Sequence, residues 1–263
     1  MSAAELARIQ AFDRELFARM STATVPFSHG TAYLNDDFPL RWDSNFLAVE
    51  RGHPPTSAPE LAEEAERILG SAGLGHRQVF VPDGATGGRL APGFGAMRWS
   101  TDQLVVMSQR RPPARSAPEL DVREGSFEEA RPLIGEVVRR APYATSKEVV
   151  RQLVEHRGLL ERVAAARFFV GRVEGVDAGV CEAYLIDGVG QVEDVNTLEE
   201  HRRKGVATAV VTAAADGCRA KGADLVFLIA DQDDWPKELY AALGFEPVAR
   251  WWAFLLQPPS PAR

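Results

Sequence analysis

The chain has 263 residues, of which 45% are hydrophobic and 25% charged, with a formal net charge of −7. This is the make-up of an ordinary globular protein, and the acidic balance excludes a surface built to neutralise nucleic-acid phosphates. The two cysteines, Cys181 and Cys218, stand outside any CxxC or metal-ligand spacing, so neither a disulfide framework nor a metal site is expected.

The first twenty residues lack the apolar stretch of a secretory leader, and no apolar run reaches the roughly 18 residues of a membrane span. The expectation is a cytoplasmic protein with no membrane partner and no nucleic-acid partner. Arginine heavily outnumbers lysine, which hints at a GC-rich bacterial genome. The acidic excess lies in residues 117–263, with 18 basic and 24 acidic groups. It serves solubility, and it also favours cationic substrates such as amines.

Leu6, Ile9, Phe12, Leu16, Phe17 and Met20 recur at helical spacing and predict an amphipathic helix over 3–20. GTAYLN at 30–35 and SNFLAVE at 44–50 read as strands, and the proline-rich 51–60 as a loop. Ser57 is placed to cap a helix over 59–69 that closes at Gly70 or Gly73. Residues 76–83 alternate as a strand, 87–99 form a short glycine-rich piece, and 103–110 are a further strand. RRPPARSAPE at 110–119 breaks the pattern and marks the expected boundary between domains at 1–112 and 117–258.

The second half restarts as a strand at LDVREG. Helices are predicted over 127–140, with Leu133, Val137 and Val138 inward, and over 146–164, with Val149, Val150, Leu153 and Leu160 inward. ARFFVGRV, AGVCEAYLIDG and QVEDVNTL follow as strands, then a helix over 204–221 ending at Gly222. ADLVFLIAD is a strand apolar enough to be buried on both faces. DWPKELYAALG is a short helix with Asp234 as its cap, and FEPVARWWAFLL a last strand. A helix between two late strands calls for a parallel crossover. Trp251 and Trp252 are expected to divide between core and surface, and both cysteines to be buried small hydrophobes.

The segment most informative about chemistry is HRRKGVA, between a strand ending near Leu198 and a helix starting near Lys204. Gly205 and Ala207 leave little side chain on the first turn. The free N–H groups of a helix start, at the positive end of its dipole, cradle a pyrophosphate. Arg202, Arg203 and Lys204 are unfavourable at that end unless an anion joins them.

R-R-K-G-V-A resembles the [QR]-x-x-G-x-[GA] signature of the GNAT acyltransferase superfamily, with Arg202, Gly205 and Ala207 at the fixed positions. Leu239-Tyr240-Ala241-Ala242-Leu243-Gly244-Phe245 is similar to the family's L-Y-x-x-L-G-F. The resemblance covers about residues 119–258 and implies a mixed-sheet α/β fold. It implies acetyl-CoA as co-substrate and direct attack of a small-molecule, peptide or protein amine on the acetyl thioester. It assigns backbone contacts to Val195, Asn196 and Thr197, and pyrophosphate contacts to Arg202, Arg203, Lys204, Gly205, Val206, Ala207 and Thr208. Tyr240 matches the family's proton donor.

Two positions depart from the family. Leu228 stands about where many members carry a glutamate base, and Asp233 replaces an asparagine seven residues before the tyrosine, at a cofactor-contacting position. The base is therefore left among Glu193, Asp194, Glu182, Asp231, Asp233 and a water relay. Strand alternation puts at most one of Glu193 and Asp194 toward the thioester. A non-catalytic acyl-CoA-binding module is the alternative function.

The order helix, strand, short helix, strand over 59–110 repeats that of 204–258 and points to a tandem arrangement. Residues 1–112 are then a degenerate GNAT-like half, its loop RGHPPTSA too proline-rich to bind CoA, or else an unrelated α+β cap.

Overall fold

The computed structural model describes residues 3–50, 56–114, 119–233 and 236–258. In chain order the elements are α1 (Ala3–Met20), β1 (Ala23–Phe27), β2 (Gly30–Leu34), β3 (Phe46–Val49), α2 (Ala58–Ala65), β4 (Arg77–Val81), α3 (Gly84–Ala96) and β5 (Ser100–Gln109). They continue as β6 (Asp121–Gly125), α4 (Phe127–Arg140), α5 (Lys147–Ala164), β7 (Arg167–Val173), β8 (Val176–Ile186), β9 (Val189–Thr197), α6 (Val206–Ala220), β10 (Leu225–Asp231), α7 (Pro236–Ala242) and β11 (Phe245–Leu256).

These elements form two compact units. One comprises Met1–Arg19, Met107–Ala230 and Trp235–Val248; the other comprises Met20–Val106, Asp231–Asp234 and Ala249–Arg263. The grouping is not a cut between residues 112 and 117. The first helix belongs with the later strands, and the end of the last strand belongs with the early ones.

In the unit that holds the GNAT-like motifs, β6, β7, β8 and β9 form an antiparallel meander. Beside β9 lies β10, parallel to it, as the intervening helix α6 requires. Helix α1 earns its place here through a few long side chains: Ile9, Phe12 and Leu16 are buried, and the Phe12 ring meets Phe227 edge-on at 5.3 Å. Arg8 holds Asp224 at 2.5 Å. Helices α4 and α5 open on Ser126 and Ser146, whose hydroxyls accept the Glu129 and Val149 N–H groups.

The other unit repeats this plan. Strands β1, β2 and β3 form an antiparallel meander, α2 follows, and β4 lies parallel to β3 with Leu47 opposite Val79. The end of the strand after α3 and most of the strand after α7 are then exchanged. Ala249–Leu256 of β11 belong with β4, pairing antiparallel from Trp252 opposite Val81 to Leu256 opposite Arg77. Met107–Gln109 of β5 belong with β10, and the Ser108 hydroxyl donates to the Val226 carbonyl at 3.4 Å. The core beneath β4 stacks Phe94 on Phe254 at 4.2 Å, and Trp252 on Phe254 at 6.0 Å. Trp251 is fully buried and Trp252 half-buried, so both tryptophans are structural in this unit.

Several elements differ from expectation. Strand β1 is absent from the sequence reading because Pro26 interrupts its pattern; β1 lies at the end of its meander, where a proline is tolerated. The glycine-rich piece is a 13-residue helix from Gly84, capped by Asp83 accepting the Thr86 N–H at 2.8 Å, with Pro92 inside it. Helix α5 turns Gln152, Val154, His156, Arg157, Gly158 and Leu160 inward, while Val149, Val150 and Leu153 are half-buried. The cap expected of Asp234 lies outside the described residues. Among the described residues no helix is long and apolar enough to cross a membrane.

Candidate active site

Strand β9 is the centre of the site because its two edges do different things. Toward β8, Glu193 pairs with Glu182 and Asn196 with Val180, so Asp194 and Val195 together face Cys181 alone. This is a β-bulge, which re-aims the backbone beyond it. Asp194 takes a left-handed φ of 51°, a conformation that aspartate tolerates better than most residues. Toward β10, pairing runs from Val189 to Gln191, opposite Leu225 to Phe227, and stops. Val192–Thr197 and Leu228–Asp231 continue without pairing to each other, which opens a cleft whose β9 wall carries unspent backbone donors and acceptors.

The bulge overturns the expectation from strand alternation. The Arg157 guanidinium, brought in by α5, lies 3.0 Å from the Glu182 carboxylate and also contacts the Asp194 carboxylate. Glu182 shares its sheet face with its cross-strand neighbour Glu193, so Asp194 and Glu193 approach the same side. Arg157 and Glu182 are 7% and 3% exposed at their side chains, which makes this a buried ion pair. Tyr184 completes it by donating its phenol to Glu182 at 2.5 Å. Burial, reinforced by the Glu182 charge, pushes the Tyr184 hydroxyl well above the usual phenol range, so it stays a donor.

Glu193 is half-buried and accepts the Gln191 amide at 2.6 Å. From α1, Asp13 adds a buried carboxyl in the field of Glu193. Burial first, and the Glu193 charge second, hold Asp13 well above the usual carboxylate range. The remaining base candidates are placed as follows. Asp231, the last residue of β10, accepts the Asp233 backbone N–H at 2.8 Å, and both are exposed. Leu228 is buried at the position where a glutamate is common.

The other wall is the start of α6. Gly205 occupies the N-cap with φ 82°, and no side chain caps the helix. Arg203, two residues earlier, is also left-handed at φ 63°. Alternating left-handed residues before a helix turn successive N–H groups toward a common point, an anion-binding concavity. Arg202, Arg203 and Lys204 are exposed and make no salt bridge among the described residues. Val206 is buried and Ala207 and Thr208 half-buried, so the first turn presents mostly backbone. Residues Val195, Asn196 and Thr197 stand half-buried at the end of β9, with the Asn196 amide folded back on the Asp194 carbonyl at 3.0 Å.

The equivalent helix start in the other unit is closed. The Ser57 hydroxyl accepts the Glu60 N–H, and the Glu60 carboxylate accepts the Ser57 N–H at 2.8 Å. A carboxylate of the protein itself occupies the anion position of α2.

Tyr240, on α7, is 8% exposed, and its ring lies 6.4 Å from Phe245. Gly244 explains the glycine of that motif: its φ is 85°, and an added Cβ would lie 2.0 Å from the Arg111 carbonyl oxygen.

Residues 135–245 match the model of the acetyltransferase (GNAT) family. This part of the chain is similar to a GNAT domain. The chain is 32% identical over 66 residues to an uncharacterized N-acetyltransferase, YobR, from Bacillus subtilis (strain 168), a match covering 25% of this chain and 27% of that protein. The chain thus spans about a quarter of this relative's length in the match. A GCN5-related N-acetyltransferase from Kribbella flavida superposes with a TM-score of 0.67 at 18% identity, over 99% of this chain and 97% of that one. A tandem GNAT protein from the clavulanic acid biosynthesis pathway superposes with a TM-score of 0.55 at 13% identity, over 89% and 80%. These structural likenesses carry the GNAT fold across both units. Arg157 and Asp13 of this site lie outside the motifs. The one sequence signal was a lone arginine on the buried face of α5, three residues after Val154 and three before Leu160.

Proposed function

We propose that the chain is an acetyl-CoA-dependent N-acetyltransferase acting on a primary amine. The observation that carries this is the uncapped, glycine-opened start of α6, flanked by three exposed cations that make no salt bridge among the described residues, next to the point where β9 and β10 part. The phosphates of acetyl-CoA suit that helix start, held by backbone N–H groups of Gly205–Thr208 and by Arg202, Arg203 and Lys204. When bound, acetyl-CoA supplies the acyl group as a thioester. The β9 backbone at Val195–Thr197 orients it.

Glu193 is the proton acceptor in this reading. Asp194 is engaged by Arg157, and Glu182 is spent on Arg157 and Tyr184. The acidic surroundings of Glu193 suit an amine that arrives as a cation. Tyr240 supplies the proton at its phenol oxygen. The early half is a degenerate GNAT copy that binds no CoA, since Glu60 fills the start of α2.

The buried Leu228 favours a second reading, an acyl-CoA-binding module without turnover. Calorimetric titration with acetyl-CoA, with ATP as control, tests the first reading. Micromolar binding, about −8 kcal/mol, is expected for acetyl-CoA alone, followed by thiol release with an amine panel. Binding without release on any amine, unchanged in Tyr240→Phe, would establish the second reading. No binding at millimolar acetyl-CoA removes both.

A further inference from the structure

The buried arginine of α5 has no place in the GNAT motifs, yet it touches the one residue of β9 whose backbone is left-handed. Its guanidinium bridges Glu182 on β8 and Asp194 on β9, the two strands whose register slips between them. Glu182 is fixed from its other side by the Tyr184 phenol. The carboxylate of Asp194 is therefore tethered to an anchor that is itself buried and bonded. A tether on the side chain of a left-handed residue restrains that residue's backbone, because aspartate with its side chain released relaxes toward ordinary extended φ. Extended φ at Asp194 would restore regular strand geometry and re-aim Val195–Thr197.

We propose that Arg157 is a positioning residue: by clamping Asp194 to Glu182 it holds the β9 bulge, and with it the backbone that lines the cleft between β9 and β10. This rests on the acetyltransferase reading for what the cleft binds, but the clamp itself is measurable without any ligand. Four proteins are compared: wild type, Arg157→Gln, Asp194→Gly and the double variant. Glycine takes the left-handed conformation without a tether, so it uncouples the bulge from the arginine.

In the wild-type background Arg157→Gln is expected to raise amide exchange at residues 194–197 of the free protein. It should weaken acetyl-CoA binding by about tenfold and lower kcat more than it changes the amine KM. In the Asp194→Gly background the same change should alter affinity by less than about threefold, a non-additivity that marks direct coupling. Equal losses in both backgrounds, or unchanged exchange at 194–197 in Arg157→Gln, would overturn the clamp. Should Arg157→Gln fail to fold, Arg157→Lys keeps a buried cation but only a single point of attachment. It is then expected to show the exchange increase, and protection at 194–197 equal to wild type would overturn the proposal. If wild type binds no acetyl-CoA, the functional reading falls while the exchange data still decide the clamp.

Discussion

At residue scale, Gly205 combines two requirements that a substitution series separates. Its φ of 82° disfavours any side chain by about 1 kcal/mol, and its position beside the α6 N–H groups disfavours negative charge. Gly205→Asn keeps tolerance of the left-handed conformation without charge, whereas Gly205→Asp adds a carboxylate where an anion is to bind. Calorimetry should find acetyl-CoA binding weakened modestly in the first and lost in the second; equal affinities would remove α6 as the phosphate site. Asp13 offers a pH test. Its folded-state pKa is raised by burial and by Glu193, so its stabilising contribution is complete below the usual carboxylate range. That contribution is lost as pH rises through the raised value, because the buried group must then ionise or hold its proton at a cost. Asp13→Asn has no such loss. Its melting temperature relative to wild type should climb between pH 4 and pH 8, and a gap that is flat or narrows with pH would refute the assignment.

At the scale of elements, the sequence was informative where one local signal decides the outcome. Ser57 precedes a periodic helix and does cap it, and in the structure Ser126 and Ser146 cap α4 and α5 in the same way. Gly205 and its three cations declare the start of α6 without tertiary help. What stayed hidden needs a partner distant in the chain. The bulge in β9 depends on its register with β8 and has no turn residue to announce it, so strict alternation misassigned the sides of Glu193 and Asp194. Arg157 and Asp13 reach the site from α5 and α1, and a single charged residue on a helix gives no indication of which strand it will meet. The contrast between α2 and α6 follows from the same physics. Both are crossover helices between parallel strands, but one starts on its own capping box and the other on bare backbone. Calorimetry should therefore return one acetyl-CoA per chain. A stoichiometry of two would mean that Glu60 is displaced from the α2 start and that the early half is a working copy.

At the scale of the whole molecule, the exchange of the end of β5 and most of β11 makes each unit depend on residues from the other half of the sequence. Phe254 is fully buried and stacks on Phe94 at 4.2 Å, so the core around β4 is completed by one of the last residues described. The helix that begins the chain meanwhile packs Phe12 on Phe227 of β10. A chain cut near residue 112 would leave β4 without its β11 neighbour, an open edge above an unfilled core. Phe254→Ala tests this within the intact protein. Truncating a buried phenylalanine costs about 3–5 kcal/mol, and the loss should fall on the early half. Amide exchange should accelerate in β3, β4 and α2, far from residue 254 in sequence, with β8, β9 and α6 still protected and acetyl-CoA affinity retained. Uniform loss of protection in both units would mean that they unfold as one cooperative body. Protection of β4 unchanged in Phe254→Ala would mean that the early half is stable without the strand that closes it.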